Sequence, residues 1–555
     1  MRRLQLLQIT GAHLVGSYSL LPRELIWLCW LECPLKSLPS DFHLSKLVIL
    51  DMQKSKVQKL WKGTKILNKL KILNLSYSKC LVKTPNFRGL HSLERLILVD
   101  CTGLVKVHQS IGNLKSLVLL NLEGCNSLKT LPESLGDLES LTELFAKGTA
   151  IKQLPTSARY LKKLTKLSFG GNNYSPNPPS KSRFSRFFLW VSPKSCSSSI
   201  AMLPASFTSF TSLKELNLSY AGLSDAISSI DVGSLSFLED LDLSGNGFFN
   251  LPSGISCLPK LQCFKVERCK NLLSISELPS SVLFLSINDC TSIERVSAPL
   301  HHEILPSLSV QGCRNLIEIQ GMDHIFLYDC NNLSENSKMS LIQGLCKGKH
   351  YDIFLAGGEI PEWFSHRGEG SALSFHLPSV SVPDGNKLQA LLLWVVLAYT
   401  NEATPQTSVS VPDGNKLQAH LQRDICFATL KNKSNGIALF DTKAVVNFDR
   451  NSTKYSWIQR RVPLILLEES LQGVEELELN VKLHNARKWW VEKCGVHLIM
   501  EKGKADSDIH GEKWDHEIDI HALGSSTTDD QRLESSLIRE LQKWEITGCI
   551  KYGLA

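Results

Sequence analysis

The chain has 555 residues, 43% of them hydrophobic and 21% charged, which suits a folded protein with room for two to four domains or one long solenoid with additions. Its net charge of +7 is mild, and its lysines read as scattered through the repeats, so a dedicated nucleic-acid binder is not expected. No segment reaches the roughly 18 to 20 apolar residues of a membrane span; Leu391 to Tyr399 is apolar but reads as a buried strand.

Residues 1–24 read as a lead-in cut from something larger, with no polar cap before Leu25. The basic start Met1-Arg2-Arg3 is followed by apolar residues interrupted at Gln5, Gln8 and His13, so no signal peptide is read. That reading places the chain in the cytoplasm, with the nucleus as a second compartment, and keeps its 16 cysteines reduced.

From Leu25 a unit L-x-x-L-x-L-x-x-C/N repeats at a step of about 23, as in Leu70-Leu73-Leu75, Leu93-Leu96-Leu98 and Leu117-Leu120-Leu122. One such unit cannot bury its own apolar face. Stacked units share a core and line up short parallel strands, which predicts a leucine-rich-repeat α/β solenoid over 25–333. Several units add L-x-x-L-P, as in Leu128 to Pro132, where proline ends the extended path on the convex side. Cys33, Cys101, Cys125, Cys269, Cys290, Cys313 and Cys330 recur three residues after the last apolar strand position, where other units have Asn172 or Asn246. A small polar group there is expected to bond backbone at the turn. Metal binding would need close pairs with partners, which this spacing lacks.

The Ser/Pro-rich segment 174–200 interrupts the period with a loop bearing Phe184, Phe187, Phe188 and Trp190. Residues 334–350 read as a junction. From 351 to 502, short apolar runs separated by turn signals predict an all-β sandwich or jelly-roll domain. Within it, SVSVPDGNKLQA occurs at 379–390 and again at 408–419, a local duplication with no evident chemistry. Residues 503–555 read as mostly disordered, with one short helix near Arg532 to Trp544.

In L-x-x-L-x-L the leucines point inward and the intervening residues face the concave surface. Candidate partner contacts are therefore Lys71, Ile72 and Asn74; Glu94, Arg95 and Ile97; Thr142, Glu143 and Phe145; Lys214 and Glu215; Glu239 and Asp240; and Gln262, Lys265 and Glu267. Mixed charge on adjacent strands suits a protein partner better than a polyanion. Ile360-Pro361-Glu362-Trp363-Phe364 reads first as a plug over the last repeat and second as a recognition anchor. His366, His376 and His497 fit no triad or metal spacing, so no catalytic residue, metal or cofactor is assigned.

The repeats LPRELIWLCWLECPLKSLPSDFHLSKLVILDM (21–52), KLKILNLSYSKCLVKTPNF (69–87), LVKVHQSIGNLKSLVLLNLEGC (104–125) and LPASFTSFTSLKELNLSYAGLSD (203–225) resemble those of plant intracellular immune receptors of the TIR–nucleotide-binding–leucine-rich-repeat class. GGEIPEWFSHRGEGSALSFHLP (357–378) and VEKCGVHLIM (491–500) resemble the opening and closing of that family's post-repeat jelly-roll/Ig-like domain. The resemblance covers roughly residues 1–502. It implies the sensing part of such a receptor, which binds pathogen effectors or host proteins altered by them and acts with TIR and nucleotide-binding domains. The family's NAD-cleaving TIR domain has no counterpart here, and no G-x-x-x-x-G-K-[ST] loop occurs. The alternatives are a repeat scaffold or substrate adaptor without immune signalling, a secreted or receptor-kinase ectodomain, and a non-functional truncated gene product.

Overall fold

A leucine unit buries every second residue of a three- to five-residue strand, and the next unit must supply the other half of its hydrogen bonds. The computed structural model shows this stacking; it describes residues 4–14, 18–171, 209–224, 232–276, 278–298, 306–376, 387–399, 424–434, 436, 438–446, 454–461, 476–484 and 489–501. The insertion 174–200, the second copy of the duplicated segment and the tail 503–555 lie outside these residues.

The solenoid strands are β1 (Leu6–Thr10), β2 (Trp27–Leu31), β3 (Ile49–Asp51), β4 (Ile72–Asn74), β5 (Arg95–Ile97), β6 (Leu119–Asn121), β7 (Glu143–Lys147) and β8 (Lys166–Gly170). They continue as β9 (Glu215–Asn217), β10 (Asp240–Asp242) and β11 (Cys263–Lys265). After these, concave strands alternate with short convex ones: β12 (Ser274–Ile275), β13 (Phe284–Ser286), β14 (Arg295–Ser297), β15 (Ser307–Gln311), β16 (Glu318–Gln320) and β17 (His324–Tyr328). The convex set β12, β14 and β16 forms its own three-stranded parallel sheet. The central leucines Leu28, Leu50, Leu73, Leu96, Leu120 and Leu144 stand in register and are buried.

The parallel sheet starts earlier than Leu25. Strand β1 pairs with β2 from Leu6↔Trp27 to Thr10↔Leu31, so residues 1–24 include a solenoid turn rather than only a lead-in. Its unit, Leu4-x-x-Leu7-x-Ile9, lies 21 residues before the Leu25 unit.

The cysteine column does what its spacing predicts. Cys101 donates to the Leu75 carbonyl and Cys125 to that of Leu98, both at 3.1 Å. Cys290 donates to Val266 and Cys313 to Ile287, both at 2.9 Å. Asn246 reaches the Leu218 carbonyl at 3.0 Å and Ser78 that of Met52 at 3.3 Å, so three residue types fill one role. Pro132 and Pro155 precede the 3₁₀ turns Glu133–Asp137 and Thr156–Tyr160 on the convex side, where their fixed φ ends the extended path.

The sheet does not stop at the last repeat. After helix α1 (Glu335–Cys346), strand β18 (His350–Ala356) pairs in parallel with β17 and antiparallel with β24 (Lys454–Arg461). Beyond β24 lie β21 (Lys387–Tyr399), β26 (Trp489–Glu501) and β19 (His366–Glu369), all antiparallel, giving one continuous sheet of 19 strands among the described residues. A second sheet, β20 (Ala372–His376), β25 (Glu476–His484), β22 (Asp424–Asn432) and β23 (Ala438–Val446), completes a β sandwich. Strand β18 buries apolar side chains on both faces. Ile353 and Leu355 join the solenoid core, while Phe354 joins the sandwich core with Trp457, Val395 and Leu479. The end of the solenoid core is covered by Leu341, Ile342 and Leu345 of α1.

Candidate functional site

The register turns the candidate contacts into columns. One column runs Ile49, Ile72, Arg95, Leu119, Glu143, Lys166, Glu215, Asp240, Cys263. A second runs Asp51, Asn74, Ile97, Asn121, Phe145, Ser168, Asn217, Asp242, Lys265. All sixteen solenoid candidates are exposed or half-buried, and none is buried.

Many of them are engaged with each other. Lys71 pairs with Glu94 at 2.7 Å, Lys214 with Glu239 at 2.8 Å, and Lys166 with Glu215 at 2.6 Å. The bond to Glu215 raises the Lys166 pKa, with further support from Glu143 and Asp240. Burial raises the carboxyl of Asp240, the Cys263 thiol bonds it, and Glu215 and Glu239 push it further up. Burial pushes the Cys263 thiol itself up to about 12.

Other candidates serve the backbone. Asn74 Oδ1 accepts from Ser76 N and Oγ at 3.1 and 2.7 Å, closing the turn that leaves β4. Asn217 repeats this toward Ser219, and Asp242 accepts from Ser244 N at 2.9 Å. The Thr142 hydroxyl donates to the Val118 carbonyl at 3.3 Å, and Glu267 accepts from the Ser286 hydroxyl and from the Asn288 side-chain amide. What stays available over β4–β7 is a half-buried apolar set of Ile72, Ile97 and Phe145 beside Arg95, which forms no ion pair among the described residues; Leu119, in the same column as Ile72, is buried. Farther along, sequence reasoning misses Phe326, which is more than half exposed, at the register position beside Asp352.

The IPEWF segment divides. Ile360 and Phe364 are 7% and 3% exposed and belong to the solenoid core, with the Phe364 ring edge-on to Trp394 at 5.5 Å. Trp363 is 42% exposed and rests against His497 and Phe364, each at 5.0 Å, so it is not part of the plug. Pro361 is half-buried and Glu362 exposed; the Pro361 carbonyl accepts from Phe364 N at 3.1 Å and shapes the turn. The fold also brings Ser365 to His497, 132 residues away, with Oγ to Nδ1 at 2.9 Å. The same hydroxyl accepts from Leu498 N at 3.4 Å, so it clips the loop to β26. Among the described residues no group of three or more His, Cys, Asp or Glu is placed to hold a metal ion.

A leucine-rich-repeat family model matches residues 46–65. The TMV resistance protein N of Nicotiana glutinosa is 25% identical over 68% of this chain and 39% of its own length. The chain is a relative of plant disease resistance proteins. The disease resistance protein RML1B of Arabidopsis thaliana is 30% identical over 72% of this chain and 34% of its own. The disease resistance-like protein DSC1 of the same plant is 27% identical over 66% and 36%. The chain thus spans little more than a third of these relatives. Among solved structures, a leucine-rich-repeat protein of Leptospira interrogans is 20% identical over 57% of this chain and 93% of that one, at a TM-score of 0.26. Among the described residues no helix is long and apolar enough to cross a membrane.

Proposed function

We propose that this chain is the sensing part of a plant intracellular immune receptor of the TIR–nucleotide-binding–leucine-rich-repeat class. Its repeats bind a pathogen effector, or a host protein that an effector has altered, by contact and without chemistry. The observation that carries this reading is the half-buried apolar set Ile72, Ile97 and Phe145 beside Arg95, held in register on the concave sheet of a resistance-protein relative. A patch of aliphatic and aromatic side chains with one unpaired arginine has the composition of an interface centre. The charged columns over β8–β11 are already paired across turns and set the register of a partner more than its affinity.

The test is photo-cross-linking from Ile97 and Phe145 in leaves expressing candidate effectors one at a time. An effector or modified host protein captured from both positions, and not from Thr130 on the convex side, supports the reading. Equal capture from Thr130, or none from the concave positions across the panel, counts against it.

A further inference from the structure

The lysines that seem scattered in the sequence line up in the fold. Lys36, Lys59, Lys83, Lys106, Lys129 and Lys152 recur at steps of 23, 24, 23, 23 and 23, one per solenoid turn. All six are exposed. They lie on the side opposite the concave strands, where successive turns also bond in parallel: Gln58 N to the Lys36 carbonyl, Val82 N to Gln58, Val105 N to Val82, and a Lys83–Lys106 bridge. At about 4.8 Å per turn the row is roughly 25 Å long. Neighbouring charges stand closer than the Debye length of about 8 Å at physiological salt, so their fields add.

Among the described residues none of the six forms an ion pair, although Lys46, Lys71 and Lys115 in the same turns do. From Lys36 to Lys152 the sequence holds 18 Lys and Arg against 9 Asp and Glu, a surplus larger than the +7 of the whole chain. The convex side feels this surplus. The imidazole of His108 is pushed below its usual range by burial and then by Lys83, Lys106 and Arg88. The one acid at the start of a convex turn here, Glu133, is occupied by Thr156 and the Ser157 amide.

We infer that this convex lysine row is a docking surface for an anionic lipid bilayer. Charge complementarity calls for an extended anionic partner, and the neighbouring side chains choose which. Val82 and Val105, just before Lys83 and Lys106, are 47% and 53% exposed. Aliphatic side chains between lysines suit the headgroup boundary of a membrane, where apolar tips enter and ammonium groups meet phosphate. Nucleic acid is more often held by arginine forks and stacking rings, and the row itself offers neither. Because the row faces away from the concave columns, the chain can meet a membrane and a protein ligand together.

The test is co-sedimentation of the whole chain with vesicles of phosphatidylcholine alone and of phosphatidylcholine with phosphatidylserine. Binding is expected only to the second, and it weakens as salt rises. Each lysine removed costs about fivefold near an anionic surface, so Lys83→Gln/Lys106→Gln/Lys129→Gln should weaken binding about a hundredfold. These side chains are exposed, so the triple variant should melt like the parent. Val82→Ser/Val105→Ser should weaken binding at low and high salt alike. Equal binding to neutral vesicles, or a triple variant that binds like the parent, overturns the inference. So does single-stranded RNA binding through the same lysines without vesicle binding, which would assign the row to nucleic acid.

Discussion

Phe364→Ala removes a ring that is buried in the end of the solenoid core and packed edge-on against Trp394. Truncating a buried phenylalanine costs about 3–5 kcal/mol, through lost transfer energy and the cavity left behind. In a stacked-repeat protein that loss stays local, because each layer is held by its neighbours. A single melting midpoint would therefore blur it, and hydrogen exchange resolved by peptide is the fitting assay. A loss of 3 kcal/mol raises local opening about a hundredfold or more. Amides of α1 and β18 should exchange faster by that factor, while those of β3–β7 stay unchanged. Trp363→Ala is the control. Its ring lies at the surface against His497 and Phe364, a type of contact worth about 0.5–1.5 kcal/mol, so its effect should be about tenfold or less. Equal loosening by both variants, or none by Phe364→Ala, would refute the division of the IPEWF segment into a buried plug and an exposed tryptophan.

Cys290→Ala deprives the buried Val266 carbonyl of its donor and should cost about 1–3 kcal/mol in unfolding experiments, whereas a Cys80→Ala control, exposed and outside the thiol column, should cost little. Alkylation of the native chain, read by mass spectrometry, should among the described cysteines modify Cys80 and Cys257 first, since both are exposed; Cys426 and Cys494, buried with thiols pushed up to about 12, should react only after unfolding. Asp240 has a carboxyl raised by burial in the folded state, so its ionisation opposes folding, and its favourable contribution below the unfolded pKa is lost as pH rises through the folded one. Asp240→Asn should therefore raise the melting temperature at neutral pH and lose that advantage in acid; a variant less stable at neutral pH would contradict this.

The solenoid was legible because a 23-residue leucine period has no other physical use, and the cysteine column because a buried turn carbonyl demands a donor. The first turn was not, since Gln5 and Gln8 break up Leu4, Leu7 and Ile9 and only pairing with β2 reveals the unit. The merger of solenoid and sandwich was hidden for another reason. Strand β18 buries both faces, so its apolar run carries no alternation to say which core each side chain enters. Helix α1 is short, with its apolar residues crowded at Leu341, Ile342 and Leu345, although Ser334 caps it by accepting from Ser337 N at 3.2 Å. Among the binding candidates, exposure followed from alternation. Which of them are occupied, such as Asn74 by Ser76 or Glu215 by Lys166, depends on neighbours in the turn and in the next repeat. The lysine row escaped notice because the leucines set the period, and a lysine beside them reads as an ordinary solvated side chain until the bonding of successive turns stacks them on one side.

The most direct test of recognition through the concave face is the affinity of a protein captured from Ile97 or Phe145, measured against two variants of the chain. Ile97→Asp/Phe145→Asp places two carboxylates in the concave apolar set, and the account predicts a loss of about a hundredfold or more for a central anchor pair. The convex variant Lys83→Gln/Lys106→Gln/Lys129→Gln should bind that protein as the parent does. Binding that survives the concave change and fails with the convex one would contradict the claim.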